Sequence, residues 1–529
     1  MFCQFDYLRD CSPSLPGSIR DALDELPESL DETYAQTLEE IKGQKRETAH
    51  CLFQCVAAAS RPLLVSELAQ FLAFKSEAGS TPTFLPDCRL EDLSNDVITT
   101  CSSLLAVVKP VDGSPVVRFP HFSAKEYLTS ARLDEAKPKL SRFHFSMTQA
   151  HTIAAQRCLG ILLHLDENVS KDSLKEFPLA EYAAEHWVDH ARFHEDVSSK
   201  VQAEIKRLFD PGRHHISVWA WICDPEDPRR RSGRSERPKA RATPLHYAAS
   251  CGLYDVAEFL IVEHSRDVND QGFDKKETPL HVASRRGHVD VVRLLLKHRA
   301  SAEAQDDNKC TPLLLASQVG YLEVVQFLLG YGANKEARDH RNRTPLLLAS
   351  YDGHVELARI LLEHDADTEA RDYRKRTSLL LASQYGHVEL VRILLKHNAA
   401  REARDYGQRT PLLLALQDGH VEVARVLLEH GADTKAQDRF GNTPYLLASQ
   451  GGHVELAEAL LKSGADTEAR NHRRRTPLIS SVGRWMGGSP SSFRTQPGYG
   501  SSEQERLEPI VDTETCGSSA GPSRAWDKC

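Results

Sequence analysis

From residue 243 onward, apolar and polar positions recur in a fixed order. Thr-Pro-Leu or a close variant opens each cycle, at Thr243, Thr278, Thr311, Thr344, Thr377, Thr410, Thr443 and Thr476. The first interval is 35 residues and each later one is 33. In the cycle at Thr344, the hydroxyl suits a helix N-cap and Pro345 suits the first helical position, where no amide donor is needed. Leu346, Leu348 and Ala349 give that helix an apolar side, and Gly353 permits a turn. Val355, Leu357, Ala358, Leu361 and Leu362 then form a helical-period stripe. A polar extension, Asp365 to Asp372, leads to the next cycle. The pattern predicts a mainly α chain with seven full helix–turn–helix units and an eighth that stops after Ile479.

Two short helices cannot bury both their faces, so neighbouring units must stack. Small residues hold one position of every unit (Ala248, Ala283, Ala316, Ala349, Ala382, Ala415, Ala448). Leucine holds another (Leu260, Leu295, Leu328, Leu361, Leu394, Leu427, Leu460). At roughly 10 Å per helix layer, seven units predict a rod of about 70 Å with no enclosed cleft. A 33-residue period with this opening resembles the ankyrin repeat. The resemblance implies a non-enzymatic solenoid that recognises a protein partner. His follows Thr-Pro-Leu only at His246 and His281; Leu314, Leu347, Leu380, Leu413 and Leu447 or its neighbour Leu446 replace it later. Glu303, Glu336, Glu369, Glu402 and Glu468 run beside Arg338, Arg371, Arg404 and Arg470, which predicts a ladder of exposed ion pairs, each worth at most about 1 kcal/mol.

Residues 1 to about 200 lack that period. Apolar spacing predicts a helix from Ser18 (Ile19, Ala22, Leu23, Leu26) and another from Ser29 (Leu30, Tyr34, Leu38, Ile41). Further helices are expected at Cys51 to Ala59 and Ser66 to Phe71. Leu104 to Val108 and Val116 to Phe119 read as strands around Asp112-Gly113. Helices followed by a hairpin predict a winged helix. The division expected is a helical segment 1–45, a winged-helix-like domain 46–135, a helical region 136–225, a basic linker 226–242, repeats 243–479 and a disordered tail 480–529.

Three segments carry a second resemblance: Ala22 to Tyr34, Val117 to Leu128 and Pro178 to Trp187. In that order they are similar to the part of fungal NACHT–ankyrin proteins that follows the ATPase. The likeness implies an NLR-like signalling layout, in which an upstream module binds nucleotide and the repeats sense a partner. The sequence itself contains no Gly-x-x-x-x-Gly-Lys-Ser/Thr loop. Either a truncated gene model or a natural member reduced to its regulatory and sensing halves would account for that.

Composition narrows the chemistry. The 529 residues hold 66 Lys and Arg against 75 Asp and Glu, a net charge of −9. Residues 1–130 are themselves acidic, with eleven Lys and Arg against nineteen Asp and Glu, which opposes phosphate contact by the winged helix. No apolar run reaches the roughly 18 residues of a membrane span, and the first residues lack a secretory layout. Twelve scattered cysteines without a Cys-x-x-Cys pair read as free thiols in a reducing compartment. The expected location is cytoplasmic, with the nucleus as the alternative. Arg229, Arg230, Arg231, Arg234, Arg237, Lys239 and Arg241 crowd the linker; the runner-up reading is a nuclear or nucleic-acid-associated protein using them.

No nucleophile elbow, zinc-protease or kinase signature occurs, so no catalytic residue, cofactor or metal is predicted. His186, His190 and His194 have a spacing that zinc could use, but Trp187 and Val188 favour packing. Periodic histidines follow the turn glycines (His288, His354, His387, His420, His453) and end the second helices (His298, His364, His397, His430); a pH-sensitive rod is the functional reading, helix-end stabilisation the plain one. Partner binding is assigned to positions the fold does not demand. On loop tips these are Arg341, Arg343, Tyr373, Arg374, Arg376, Tyr406, Arg409 and Phe440. At the ends of first helices they are Gln318, Tyr351, Gln384, Tyr385, Gln417 and Asp418. Tyr and Arg are favoured because they join contact area to directed polar groups.

Overall fold

The computed structural model describes residues 29–41, 45–75, 83–84, 104–110, 113–193, 199–227 and 241–477. The predicted helix at Ser18, the turn residue Asp112, His194, most of the basic linker and the tail 480–529 lie outside them. The chain divides into two compact units, residues 1–373 and 374–529.

In the first unit, Ser29 caps α1 (Leu30–Glu40), accepting the Glu32 amide at 3.2 Å. α2 (Lys45–Ala58) follows, then β1 (Leu63–Leu64) and α3 (Val65–Leu72). A two-stranded pair, β2 (Phe74–Lys75) with β3 (Thr83–Phe84), precedes the predicted hairpin, β4 (Ala106–Val108) and β5 (Val116–Arg118). β5 pairs antiparallel with both neighbours, Val117 opposite Leu63 on one side and Val107 on the other. α4 (Phe122–Leu128) packs against α1, where the Tyr34 hydroxyl meets Ser123 Oγ at 2.8 Å.

α5 (Met147–His164) is the central helix of this half and packs on α2, on α6 (Leu179–Ala191) and on α7 (Ser199–Leu208). His190 lies buried among them. The Ser60 amide donates to the Tyr182 hydroxyl (3.1 Å), which is hydrogen-bonded to His190 Nε2 (2.9 Å), and His190 Nδ1 meets His151 Nδ1 at 2.9 Å. With both imidazoles neutral, one proton serves each of these contacts. Burial accordingly lowers His190 to about 3 and His151 to about 4. His190 is therefore a packing group tied to Tyr182 and His151.

α8 (His215–Ile222) joins this half to the repeats. Trp219 is buried, its indole N–H donating to the Ala184 carbonyl (2.9 Å), with its ring against Trp187 and Tyr247. Arg192 donates to the Cys251 carbonyl at 2.9 Å. The two ends of the predicted linker are held as well. Glu226 receives Arg285, Arg286 and Ser250, and Arg241 bridges Asp224 and Asp274. The helical region thus serves as the first layer under the first repeat.

Four helix pairs complete the first unit and three lie in the second, with every member of the small-residue and leucine columns fully buried. Leu314, Ala337 and Leu348 form one shared core in the first unit; Leu380, Ala403 and Leu414 form its counterpart in the second. Each first helix ends in a left-handed glycine. A Cβ on Gly252 would lie 2.5 Å from the His288 ring of the next repeat, and one on Gly386 equally close to His420. Those histidines donate Nε2–H back to the carbonyls of Ser250 (2.9 Å) and Gln384 (3.0 Å). They are inter-repeat fasteners. Among the described residues no helix is long and apolar enough to cross a membrane.

The Thr-Pro-Leu-His variation has a direct local meaning. His246 and His281 each accept the Thr amide at Nδ1 and donate Nε2–H to a carbonyl of the next extension, Glu277 and Cys310, both at 2.9 Å. In the later repeats Thr311, Thr344, Thr377, Thr410 and Thr443 accept the leucine amide instead, at 3.3 to 3.5 Å.

Burial lowers His246 to about 4, and His281 in the same direction. With His151 and His190, these sites stay neutral in the fold, while the unfolded chain protonates them below about pH 6.5. Their contribution is complete above pH 6.5 and is lost as pH falls toward 4. Urea midpoints should drop steadily over that range. His246→Leu with His281→Leu, the arrangement of the later repeats, should flatten the drop at little cost at pH 7.5. Trp219→Ala should lower stability by about 3–5 kcal/mol, measured on the transition of the first repeats.

Candidate partner-binding surface

From the second extension on, five successive extensions turn on one aspartate, where the first carries Phe273. Asp306, Asp339, Asp372, Asp405 and Asp438 are buried, as is Asn471 in the same place. The Asp339 carboxylate accepts the amides of Arg341 (2.9 Å) and Arg343 (2.7 Å), and Asp438 those of Phe440 and Asn442, both at 2.8 Å. One residue in each turn adopts the left-handed conformation, Asn342, Lys375, Gln408 or Gly441 among them. The tips are linked in turn by main-chain bonds. In the first unit the amides of His340 and Tyr373 donate to the carbonyls of Asn308 and Arg341 (both 2.9 Å). In the second, Tyr406, Arg439 and His472 donate to Arg374 (3.1 Å), Gly407 and Phe440 (both 2.9 Å).

The aspartate column escaped the reading of the residues. Its signal was available, an Asp five residues before each Thr from Asp306 to Asp438, but it lies in a stretch crowded with other charges.

This scaffold sorts the candidate residues. Arg343, Arg376 and Arg409, expected at the tips, close the turns from within. Arg343 Nε is 2.7 Å from Asp339, Arg409 Nη2 is 2.6 Å from Asp405, and Arg376 is 8% exposed with Nη1 3.3 Å from Gln384 Oε1. Their reach back across the hairpin satisfies the buried carboxylates and the ends of the first helices. Arg341 and Tyr373 stand exposed in the first unit; Arg374, Tyr406 and Phe440 do so in the second. Tyr351 and Tyr385 project from the ends of first helices at 40% and 38% exposure. In the second unit, exposed cations lie on the exposed rings, Lys375 Nζ 5.0 Å from the Tyr406 centroid and the Arg439 guanidinium 4.6 Å from that of Phe440. Arg473 and Arg474 extend this basic edge at the next tip.

The expected ion-pair ladder takes another form. Glu303, Glu336 and Glu402 accept the amides of Asn334 (2.7 Å), Asp367 and Asp433 (both 2.8 Å) in the following extension. Arg404 donates to the Gln437 carbonyl at 3.1 Å. Main-chain groups one repeat away offer each side chain a fixed partner, where a second flexible side chain would have to be ordered.

Stacked helix pairs with hydrogen-bonded hairpin tips define a repeat solenoid. Residues 245–339, 334–405 and 398–471 match the family model for ankyrin repeats, in three copies, so this stretch is an ankyrin-repeat array. Ankyrin arrays are protein-interaction scaffolds. The chain is 32% identical over 293 residues to azaphilone pigments biosynthesis cluster protein L of Monascus ruber, covering 53% of this chain and 61% of that protein. It is 37% identical over 78 residues to alpha-latrocrustotoxin-Lt1a of Latrodectus tredecimguttatus, 15% of this chain and 5% of the toxin. It is also 42% identical over 60 residues to the ankyrin repeat and KH domain-containing protein mask of Drosophila melanogaster, 11% of this chain and 2% of that protein. The chain thus spans about three fifths of the first relative and small fractions of the others.

Asp405→Ala should cost about 1–3 kcal/mol by leaving the Arg409 amide and guanidinium without their acceptor. Arg374→Ala, at an exposed tip, should change stability by less than about 0.5 kcal/mol. Urea unfolding of the two variants checks the contrast.

Proposed function

We propose that this protein is a non-enzymatic sensor whose ankyrin repeats capture a protein partner, and that the tip edge of the second unit takes an acidic segment of it. The observation that carries this reading is the pairing of exposed cations with exposed rings, Lys375 on Tyr406 and Arg439 on Phe440. The edge combines ring area with exposed positive charge at Lys375 and Arg439, while the Asp405 and Asp438 carboxylates are buried and engaged by amides of their own turns. Such a surface favours a partner with carboxylates flanked by apolar side chains.

The front half is read as the regulatory part of an NLR-like signalling layout. Helices followed by an antiparallel hairpin, and the three segments similar to NACHT–ankyrin proteins, support a winged helix there. The likeness to a protein named for a biosynthesis cluster agrees with a fungal setting. We place its action in the cytoplasm, in keeping with the free state of the cysteines among the described residues.

Affinity capture with the full chain, beside an Arg374→Glu, Lys375→Glu, Arg439→Glu variant, tests the proposal. A specific protein should be retained by the unaltered chain and lost from the variant, with affinity falling as salt rises. Tyr406→Ala alone should weaken it about tenfold. Equal retention by the charge-reversed variant, or retention of nucleic acid alone, overturns the reading.

A further inference from the structure

A second chemistry lies far from the repeats, on α2 and α5. Cys51 and Cys55 stand four residues apart on α2, with sulfurs 3.9 Å from each other. Arg157 of α5 faces both, its Nη1 2.6 Å from Cys51 Sγ and 3.5 Å from Cys55 Sγ. Arg157 Nε is shut off from solvent without an acceptor. Among the described residues no carboxylate pairs with this guanidinium, and its hydrogen-bond partners are the two sulfurs. An enclosed cation without a counter-ion is costly, by several kcal/mol. A neutral thiol is a weak acceptor, whereas a thiolate supplies the missing charge.

We propose that Cys51 is a thiolate paired with Arg157, and that Cys51 and Cys55 form a site of reversible oxidation by hydroperoxides. Cys51 is the attacking sulfur: it is half-buried and nearer the guanidinium, while Cys55 is buried. The hydrogen bond from Cys55, aided by Arg157, brings Cys51 down to about 6 against the opposing pull of burial. The same coupling raises Cys55, and burial raises Cys158 beside Arg157, so both remain thiols.

The Cys51 thiolate attacks one peroxide oxygen and the O–O bond breaks, leaving Cys51 as a sulfenic acid. The departing oxygen takes a proton from solvent and leaves as water or an alcohol. Cys55 then attacks the sulfenic sulfur. An S–S bond replaces the S–O bond, and hydroxide leaves as water with the Cys55 proton. The two sulfurs have together given up two electrons, and one peroxide has been reduced.

Residues four apart on a helix have Cα atoms about 6 Å apart, inside the range a disulfide spans. Their Cβ atoms, about 5–6 Å apart, are farther than a relaxed bridge allows. Closure therefore requires the turn of α2 from Cys51 to Cys55 to unwind, which holds the buried Leu52, Phe53 and Gln54. A bridge under such strain is easily reduced again, as a reversible modification requires.

The test uses the full chain and peptide mapping of iodoacetamide labelling from pH 5 to 9. Labelling of Cys51 should reach half its plateau near pH 6. At pH 6 it should be roughly tenfold faster than in Arg157→Leu, the gain in thiolate being offset in part by lower nucleophilicity. The pH profile of the unaltered chain decides the matter even where that variant fails to fold. With hydrogen peroxide, the peptide holding both cysteines should lose two hydrogens and regain them with dithiothreitol. Cys55→Ser should instead accumulate a sulfenic acid that dimedone traps at Cys51. A Cys51 profile still rising through pH 8.5, or oxidation that leaves both residues unbridged, overturns the proposal.

Discussion

Main-chain groups at each hairpin tip find their partners one repeat away, and this requirement governs the array. A buried or half-buried amide without an acceptor is costly, so every tip must meet the next in register. In the first unit His340 and Tyr373 donate back to Asn308 and Arg341; in the second, Tyr406, Arg439 and His472 donate back to Arg374, Gly407 and Phe440. Each bond spans the same number of residues, so the period cannot drift without breaking a series of them. The longer first interval fits this rule. Phe273 donates to Arg241 at the usual spacing, while Asp307 donates to Lys275, so the two extra residues are absorbed within the tip.

Periodicity carried the hydrophobic half of the architecture. The alanine and leucine columns follow from spacing alone, and the threonine caps and left-handed glycines follow from local rules. Polar positions were harder to read, because what a charged side chain does depends on which groups face it. Glu303 and Glu402 look like members of a surface charge ladder, yet they bind amides of the next extension. Arg343 and Arg409 look like free tip residues until the buried Asp339 and Asp405 are placed beneath them. Exposed tips such as Tyr406 were legible for the opposite reason: nothing in the repeat's own physics requires a large ring there.

The non-periodic half was legible as elements and not as an arrangement. Ser29, the run from Cys51 and the paired valine strands all announce themselves locally. Nothing local announces that Trp219 will lie between Trp187 and Tyr247, or that Glu226 will hold Arg285 and Arg286. Those contacts explain how the first repeat avoids an open apolar end. The helical region supplies a layer that a repeat would otherwise supply, so α5 to α8 and the first repeats belong to one compact unit. The final repeat shows the contrast, with Val454 and Leu461 exposed on its outer helix.

The same logic of partners separates the two chemically active regions. At the tips of the second unit, carboxylates are buried and engaged, so Lys375, Arg439 and Arg474 keep their charge outward although the whole chain carries −9. Around Arg157 the reverse holds: the cation is enclosed and no carboxylate among the described residues pairs with it, so the charge comes from sulfur. A guanidinium is never neutral in a protein, which is why it can force ionisation on Cys51 where a lysine could shed its proton instead. One region thus presents charge to a partner, and the other draws charge from its own side chains. Net composition hides this difference, since arginine serves in both regions.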